Sequence, residues 1–323
     1  MRKVQGMLGL SVVLLTLFCG TVAAEPVAKV SKYVVKVPEK FYVQYNGASQ
    51  TEFASGFVTG FGSGIYLKSM NKDGSIDFYG ITDRGPNGDG PWYHNGQKIE
   101  SAKYFLAPYF QPEIGVIRVQ GGKAEVINTI GLKTGKGQAV TGLPITPGKV
   151  GATNEIALGE NLANLGYDDS GLDTEGIAVD GQGNFWVCDE YGPFIIQFDK
   201  RGNLLKKFAP GNGLPEVLKN RIPNRGFEGV TVTPKGMVYG IVQSPLDIEG
   251  ATGKTARFSR IVRLDPKTGK TAMFAYPIDL EAYKKPKDAK IGDIYAVTET
   301  KFLVIEQGTG KDKQLRNLVL SKA

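Results

Sequence analysis

The feature that most restricts the fold is a unit that recurs along the chain. In this unit an acidic residue and a glycine open an apolar strand, and a second strand returns to another acidic residue. The clearest copy occupies residues 173–193 and turns at 180–184, and a second copy occupies residues 227–245. Such repetition predicts a modular all-β architecture in which carboxylates stand at equivalent places in successive modules.

Two further copies extend the series, one from Gly64 to Asp83 and one from Asp293 to Glu306. Between them, apolar runs of strand length meet at glycine-containing turns such as 199–202 and 265–269. Propeller blades take about 40 to 50 residues each. We therefore predict one β-propeller domain over residues 25–323, with five or six blades and a last blade that is incomplete or completed from the N-terminus. A β-sandwich is the alternative, but it does not explain the repeated acidic strand ends.

The first 24 residues have the pattern of a secretory signal peptide. Arg2 and Lys3 precede the apolar segment 7–18, which is short for a membrane span, and residues 22–24 are small enough for a signal peptidase. An uncleaved anchor is the alternative. We expect cleavage near residue 25, a periplasmic or secreted mature chain, and no stable membrane span.

The charge balance bears on the partners of the protein. The net charge is +7, and Arg2 and Lys3 account for two of these positive charges. The remaining basic residues are spread along the chain. The sequence has no basic run or basic–aromatic platform of the kind that binds nucleic acid. We therefore expect a small anionic or ester substrate and a monomer. Cleavage leaves Cys188 as the one cysteine, and its apolar neighbours predict a buried small side chain.

Four stretches of the sequence carry a resemblance to a known family: residues 81–87, 110–115, 173–193 and 224–246. The sequence resembles the phytase-like family of exported proteins, whose domain is known as "esterase-like activity of phytase". The likeness extends over most of the chain from about residue 55. It implies a β-propeller and a hydrolase of ester or phosphodiester bonds. Members of the family continue with another acidic strand and an Asn/Asp-rich motif that this sequence lacks, which is why an incomplete last blade is expected.

Acidic residues at the strand ends are the candidate site. Carboxylates that converge near a propeller axis cannot all remain ionised without a cation or shifted pKa values. Oxygen ligands without a histidine cluster favour Ca²⁺, or else Mg²⁺, over zinc, and no organic cofactor is indicated. We assign metal binding to Asp83, Asp173, Glu228 and Glu306, and catalysis to Glu175, Glu190 and Asp189, with Glu175 or Glu190 as general base. The alternative is that these acids only join neighbouring blades.

The motifs that contain the acidic residues also contain three arginines: Arg84, Arg225 and Arg260. We predict that these arginines bind the substrate anion through paired N–H donors. The alternative is that each forms an ion pair with one of the acids. The single histidine, His94, falls in an expected surface loop, and no Gly-x-Ser-x-Gly elbow is present.

Together these patterns predict an exported hydrolase of phosphoric or other esters that uses a carboxylate-bound divalent cation. The alternative is a non-catalytic periplasmic propeller that binds a ligand or a protein partner.

Overall fold

The structure, a computed structural model, describes residues 31–94, 96, 99–311 and 315–322, the last of these by their backbone alone. The predicted signal segment, residues 1–24, lies outside the described residues. Among the described residues, no helix has the length and apolar composition needed to cross a membrane.

The described residues form β-strands joined by turns and short 3-10 segments, so the all-β prediction is confirmed. In chain order the strands are β1 (Val35–Lys36), β2 (Gly64–Met70), β3 (Ile76–Ile81), β4 (Asn87–Asp89), β5 (Tyr93–His94), β6 (Ile99–Glu100), β7 (Ala102–Phe105), β8 (Glu113–Gln120), β9 (Lys123–Gly131), β10 (Ile156–Leu158), β11 (Thr174–Val179), β12 (Phe185–Asp189), β13 (Phe194–Phe198), β14 (Leu204–Pro210), β15 (Gly213–Leu214), β16 (Phe227–Val232), β17 (Val238–Val242), β18 (Phe258–Leu264), β19 (Thr271–Pro277), β20 (Ala289–Ala296), β21 (Phe302–Thr309) and β22 (Leu315–Lys322). The 3-10 segments are Glu39–Phe41, Glu216–Asn220, Ile248–Gly250 and Pro286–Asp288.

The longer strands form antiparallel sheets in which neighbouring strands mostly follow each other in the chain. The first sheet has the order β2-β3-β8-β9, with β1 parallel to β9, and the segment between β3 and β8 forms small sheets of its own with β10. The next two sheets are β11-β12-β13-β14, extended by β15, and β16-β17-β18-β19. A further sheet has the order β20-β21-β22.

The first strand of each sheet packs on the first strand of the next, in the order β2, β11, β16, β20. The glycine that recurs in the repeat lies at each of these contacts. A Cβ atom on Gly64 would lie 2.9 Å from the Cα atom of Gly176, and one on Gly229 would lie 2.6 Å from the nitrogen of Ile294. Glycine therefore recurs because the backbone of the next sheet occupies the space that a side chain would need.

Strand register places the repeats in correspondence. Gly64 pairs with Ile81, Gly176 with Cys188, Gly229 with Ile241 and Asp293 with Ile305. The residues two positions beyond these partners are therefore equivalent, and they are Asp83, Glu190, Gln243 and Gln307. In the last three of these sheets the register also shifts one residue before the pairing point, at Glu175, Glu228 and Gly292. Such bulges redirect the side chain of the extra residue, and two of the three are glutamates.

The core fills the spaces between successive sheets. Neighbouring residues of β12 point to opposite faces, so Phe185 packs with Ile81 towards the first sheet while Trp186 packs with Phe227 towards the third. Burial of each such side chain contributes about 1.5 to 3 kcal/mol. Cys188 is completely buried in the second of these layers, as the sequence predicts.

Candidate functional site

Three carboxyl groups converge where β11 begins and β12 ends. Asp173 precedes β11, Glu175 is the bulge residue of that strand, and Glu190 directly follows β12. One oxygen from each group lies within 4.8 Å of the other two, although the residues come from different strand ends. Asp173 and Glu190 are 2% and 6% exposed, respectively. This buried, all-oxygen arrangement can hold a metal ion.

The electrostatics of this cluster favour either protonation or a cation. Burial raises the pKa of Asp173 to about 6, and the charge of Arg84 partly opposes the rise. Burial, reinforced by the neighbouring carboxylates, raises the pKa of Glu175 and of Glu190 well above the usual range of a glutamate. Placing three such carboxylates together in the absence of a proton or cation is therefore costly.

Glu228 is a fourth member of the group. It is the bulge residue that opens β16, and it forms a hydrogen bond with Glu190. The side-chain amide of Gln243 donates to Glu190 Oε1 at 2.9 Å and also to Glu228 Oε1. Burial raises the pKa of Glu228, while the hydrogen bond from Gln243 opposes that rise. Gln243 therefore ties Glu190 to Glu228, a role that sequence reasoning missed although the repeat places Gln243 at the position of Glu190.

Asp83 and Asp293 lie at the margins of the group. Asp83 accepts the N–H of Gly85 at 2.8 Å, and it lines a cavity of about 370 Å³. Burial raises its pKa, and its charge contributes to the raised pKa of Glu175. Burial also raises the pKa of Asp293 to about 7, and the charge of Glu228 adds to this effect. Asp293 was recognised in the sequence only as the opening of a module, because it stands where the other modules have glycine.

Arg84 makes buried ion pairs rather than an open anion site. Its Nη1 donates to Glu155 Oε2 at 2.9 Å, and its Nε lies 3.4 Å from Asp173 Oδ2. Burial opposes the charge of the guanidinium, but the carboxylates of Asp173 and Glu155 outweigh it and raise its pKa. These contacts match the ion-pair alternative for this arginine, and Glu155 is a partner that the motif did not indicate.

Arg225 and Arg260 differ from Arg84. Nη1 of Arg225 donates to the carbonyl of Lys287 at 2.9 Å and to Ser244 Oγ at 3.3 Å, and no described carboxylate forms an ion pair with it. Arg260 lies on β18, the third strand of its sheet, with its guanidinium 4.9 Å from the centre of the Phe258 ring. The structure therefore leaves Arg225 available to an anion and does not bring Arg260 to the carboxyl cluster.

Asp189 and Glu306 occupy equivalent register positions that face away from the cluster. Asp189 pairs with Thr174 and Glu306 with Ile291, so each precedes the position of Glu190 by one residue. The two oxygens of Asp189 accept the N–H groups of Asp173 and Gly192, both at 2.7 Å, and burial raises its pKa to about 7. Asp189 therefore has the contacts of a residue that holds Asp173 in place.

Glu306 lies apart from the other predicted metal ligands. It is completely buried, and burial raises its pKa while hydrogen bonds from Tyr276 and Tyr283 oppose the rise. The two tyrosine hydroxyls therefore serve as hydrogen-bond donors to the Glu306 carboxylate, which does not need a cation for this. His94 is exposed, and its Nδ1 accepts the N–H of Gly96 at 3.2 Å, as expected for a surface residue.

Known proteins similar to this chain include an "uncharacterized secreted protein" of Arthroderma benhamiae. It is 27% identical in an alignment of 244 residues that covers 61% of this chain and 47% of that protein, so the match spans about half of the relative's length. Similar solved structures include an inactive variant of virginiamycin B lyase from Staphylococcus aureus, solved with quinupristin, at 13% identity and a TM-score of 0.32, covering 78% of this chain and 68% of the lyase. A protein from Lactobacillus plantarum has 11% identity and a TM-score of 0.33, covering 81% of this chain and 71% of its own.

The family comparison covers most of the chain. The model of the phytase-like family matches residues 58–323, a range that contains every residue of the carboxyl cluster described above. The chain therefore belongs to the phytase-like family, whose domain is described as "esterase-like activity of phytase".

Proposed function

We propose that this protein is an exported hydrolase of phosphoric or other esters that depends on a divalent cation, and that its sheets are the blades of a five- or six-bladed β-propeller. The observation that carries the proposal is the convergence of Asp173, Glu175 and Glu190 within 4.8 Å of one another in a buried position. Membership of the phytase-like family supports hydrolysis as the class of reaction.

The donor set fits a hard cation. Asp173, Glu175 and Glu190 would hold the ion, with Glu228 completing the site, and oxygen-only ligands favour Ca²⁺, with Mg²⁺ as the alternative. A divalent cation bound there would polarise the ester oxygen and lower the pKa of an attacking water. Asp83 lines the cavity of about 370 Å³ at the margin of the site and is a further candidate ligand.

The remaining roles follow from contacts. Glu190 is the preferred general base because burial raises its pKa and it lies beside Glu228; it would act through the carboxylate oxygen that does not hold the ion, and Glu175 is the alternative. Arg225 binds the anionic part of the substrate. Asp189 and Arg84 orient Asp173, one through its backbone and one through its carboxylate. We assign no part in turnover to Glu306 or Arg260.

Export is part of the proposal. The predicted signal at residues 1–24 directs the chain to a periplasm or to the outside of the cell, and the similar fungal protein is a secreted one. The mature chain acts as a monomer on a small substrate.

Hydrolysis assays on the purified mature chain test this function. Generic phosphomonoester, phosphodiester and carboxylic-ester substrates are compared with added Ca²⁺, with Mg²⁺ and with chelator. We expect turnover that chelator abolishes, and a loss of at least about a hundredfold in Glu175→Gln or Glu190→Gln. Glu52→Gln, at an exposed position, is the matched control. Normal activity and cation binding in both cluster variants would refute the assignment.

A non-catalytic propeller that binds a ligand or partner is the second candidate. The observation in its favour is that protein groups already satisfy several of the acids: Arg84 pairs with Asp173, and Gln243 joins Glu190 to Glu228. If the folded chain hydrolyses none of the esters under any cation condition, this second candidate is preferred.

A further inference from the structure

A basic cavity of about 640 Å³ lies beside the carboxyl cluster, and apart from Arg225 its residues have no role so far. Its lining contains five basic side chains, those of Arg225, Lys284, Lys287, Lys290 and Lys311. Among the described residues, the one acid in its lining is Asp288, whose carboxylate accepts the backbone N–H of Lys285 at 3.1 Å. The cavity therefore presents an excess of positive charge in a chain where basic residues are otherwise dispersed.

Most of this charge is not neutralised by the protein. Among the described residues, Arg225, Lys284, Lys287 and Lys290 form no ion pair, and Lys311 lies 3.9 Å from an exposed carboxylate of Glu281. Nη1 of Arg225 donates both of the hydrogen bonds described for this side chain, one to Ser244 Oγ and one to the carbonyl of Lys287. These bonds hold the guanidinium in place while its other N–H groups remain available, which is the arrangement that suits an oxyanion.

The cavity adjoins the cluster through two residues. Lys290 is near enough for its charge to oppose the raised pKa of Glu228. Gln307 lines the cavity and occupies the register position that Glu190 holds in its own sheet. One end of the inner strands thus changes from acidic at Glu175 and Glu190 to basic at Lys290 and Arg225.

We propose that this cavity binds a phosphate group of an organic phosphate, with Arg225, Lys287 and Lys290 as its ligands. Several ammonium groups beside a guanidinium match a multiply charged tetrahedral oxyanion better than a singly charged carboxylate. The volume exceeds that of one phosphate, so it also admits part of the organic group. The proposal rests on the proposed function in one respect: it selects phosphoric over carboxylic esters as the substrates of the adjoining cluster.

Binding of inorganic phosphate and of pyrophosphate tests the cavity separately from hydrolysis. Calorimetry on the folded full-length mature chain, with chelator and at constant ionic strength, measures affinity where no cation can take part. We expect Lys287→Ala and Lys290→Ala each to weaken binding about tenfold, the loss of one charge-assisted hydrogen bond. Arg225→Lys keeps the charge but loses the paired donors, and should weaken pyrophosphate binding by a similar factor.

The control is Lys72→Ala, which removes an exposed lysine from the turn between β2 and β3 and should leave binding unchanged. Absence of phosphate and pyrophosphate binding, or an equal loss of affinity in Lys72→Ala, would refute the proposal that the cavity binds phosphate. If phosphate binding depends on Lys287 and Lys290 but no ester is hydrolysed, the phosphate site is supported and the proposed hydrolase function is refuted. If hydrolysis depends on a cation but both lysine variants keep the same KM, the hydrolase function is supported and the phosphate site is refuted.

Discussion

Asp293 allows a direct test of the electrostatics of the site, because replacement by asparagine removes a charge with little change of shape. Its Oδ1 accepts the N–H of Ile294 at 2.7 Å, and an asparagine Oδ1 can accept the same bond. Burial raises the pKa of Asp293 to about 7, the bond from Ile294 opposes this, and the charge of Glu228 adds to it. At alkaline pH the folded protein therefore holds a charge that is better solvated in the unfolded chain.

The size and sign of the effect follow from linkage. A carboxyl whose pKa rises from 3.8 to about 7 on folding lowers the free energy of unfolding by about 4 kcal/mol once the pH exceeds both values. Asp293 is only partly buried, so solvent screening reduces this figure to about 2 kcal/mol. Below the lower pKa the carboxyl is protonated in both states and has no effect. Asp293→Asn should therefore stabilise the fold at high pH alone.

Urea unfolding of the wild type and of Asp293→Asn, in chelator, measures this difference. At about pH 8.5 we expect the variant to gain about 2 kcal/mol, and at about pH 4 to match the wild type closely. Asp89→Asn is the matched control: its side chain is 91% exposed, and hydrogen bonding to Lys103 lowers its pKa, so it should gain nothing at either pH. An equal gain at both pH values, or a loss at about pH 8.5, would refute the reasoning.

Three further perturbations test the architecture of the site. Arg84→Met leaves Asp173 buried without its ion pair and should cost about 3 kcal/mol of stability in urea unfolding, with a smaller cost at low pH, where Asp173 is protonated. Gln243→Leu removes the amide between two glutamates and should weaken Ca²⁺ binding about tenfold by calorimetry without loss of fold. Gly176→Ala places a Cβ 2.8 Å from a buried sulfur and should cost about 2 kcal/mol, whereas Gly181→Ala meets no atom within 4 Å and should be neutral.

Much of the cluster was accessible from the repeat itself. Glu175 and Glu228 precede the glycine of successive modules, and Glu190 ends the returning strand, so equivalence of modules predicts that they lie close together. Asp189 and Glu306 show where that reasoning fails. Each stands one residue before the position of Glu190, and a displacement of one residue along a strand turns the side chain to the other face.

Partners of the arginines could not be found in the sequence. The contact between the Arg84 backbone and Asp173 spans 89 residues, and that between Arg225 and the Lys287 carbonyl spans 62. All three arginines stand in similar motifs, yet one is neutralised by buried acids, one faces a basic cavity and one lies beside a phenylalanine ring. The environments of Arg84 and Arg225 are made by segments distant in the chain, and such contacts leave little trace in a local motif.

By itself the sequence determined the modular all-β fold and the oxygen-rich chemistry of the site, because alternation of apolar residues, turn glycines and acidic strand ends are local properties of the chain. Tertiary structure decided which acids meet, since the register of each strand pair and the bulges at Glu175 and Glu228 set the direction of every side chain. It also created the basic cavity beside them, because its lining residues, from Arg225 to Lys311, become neighbours only when the sheets pack together.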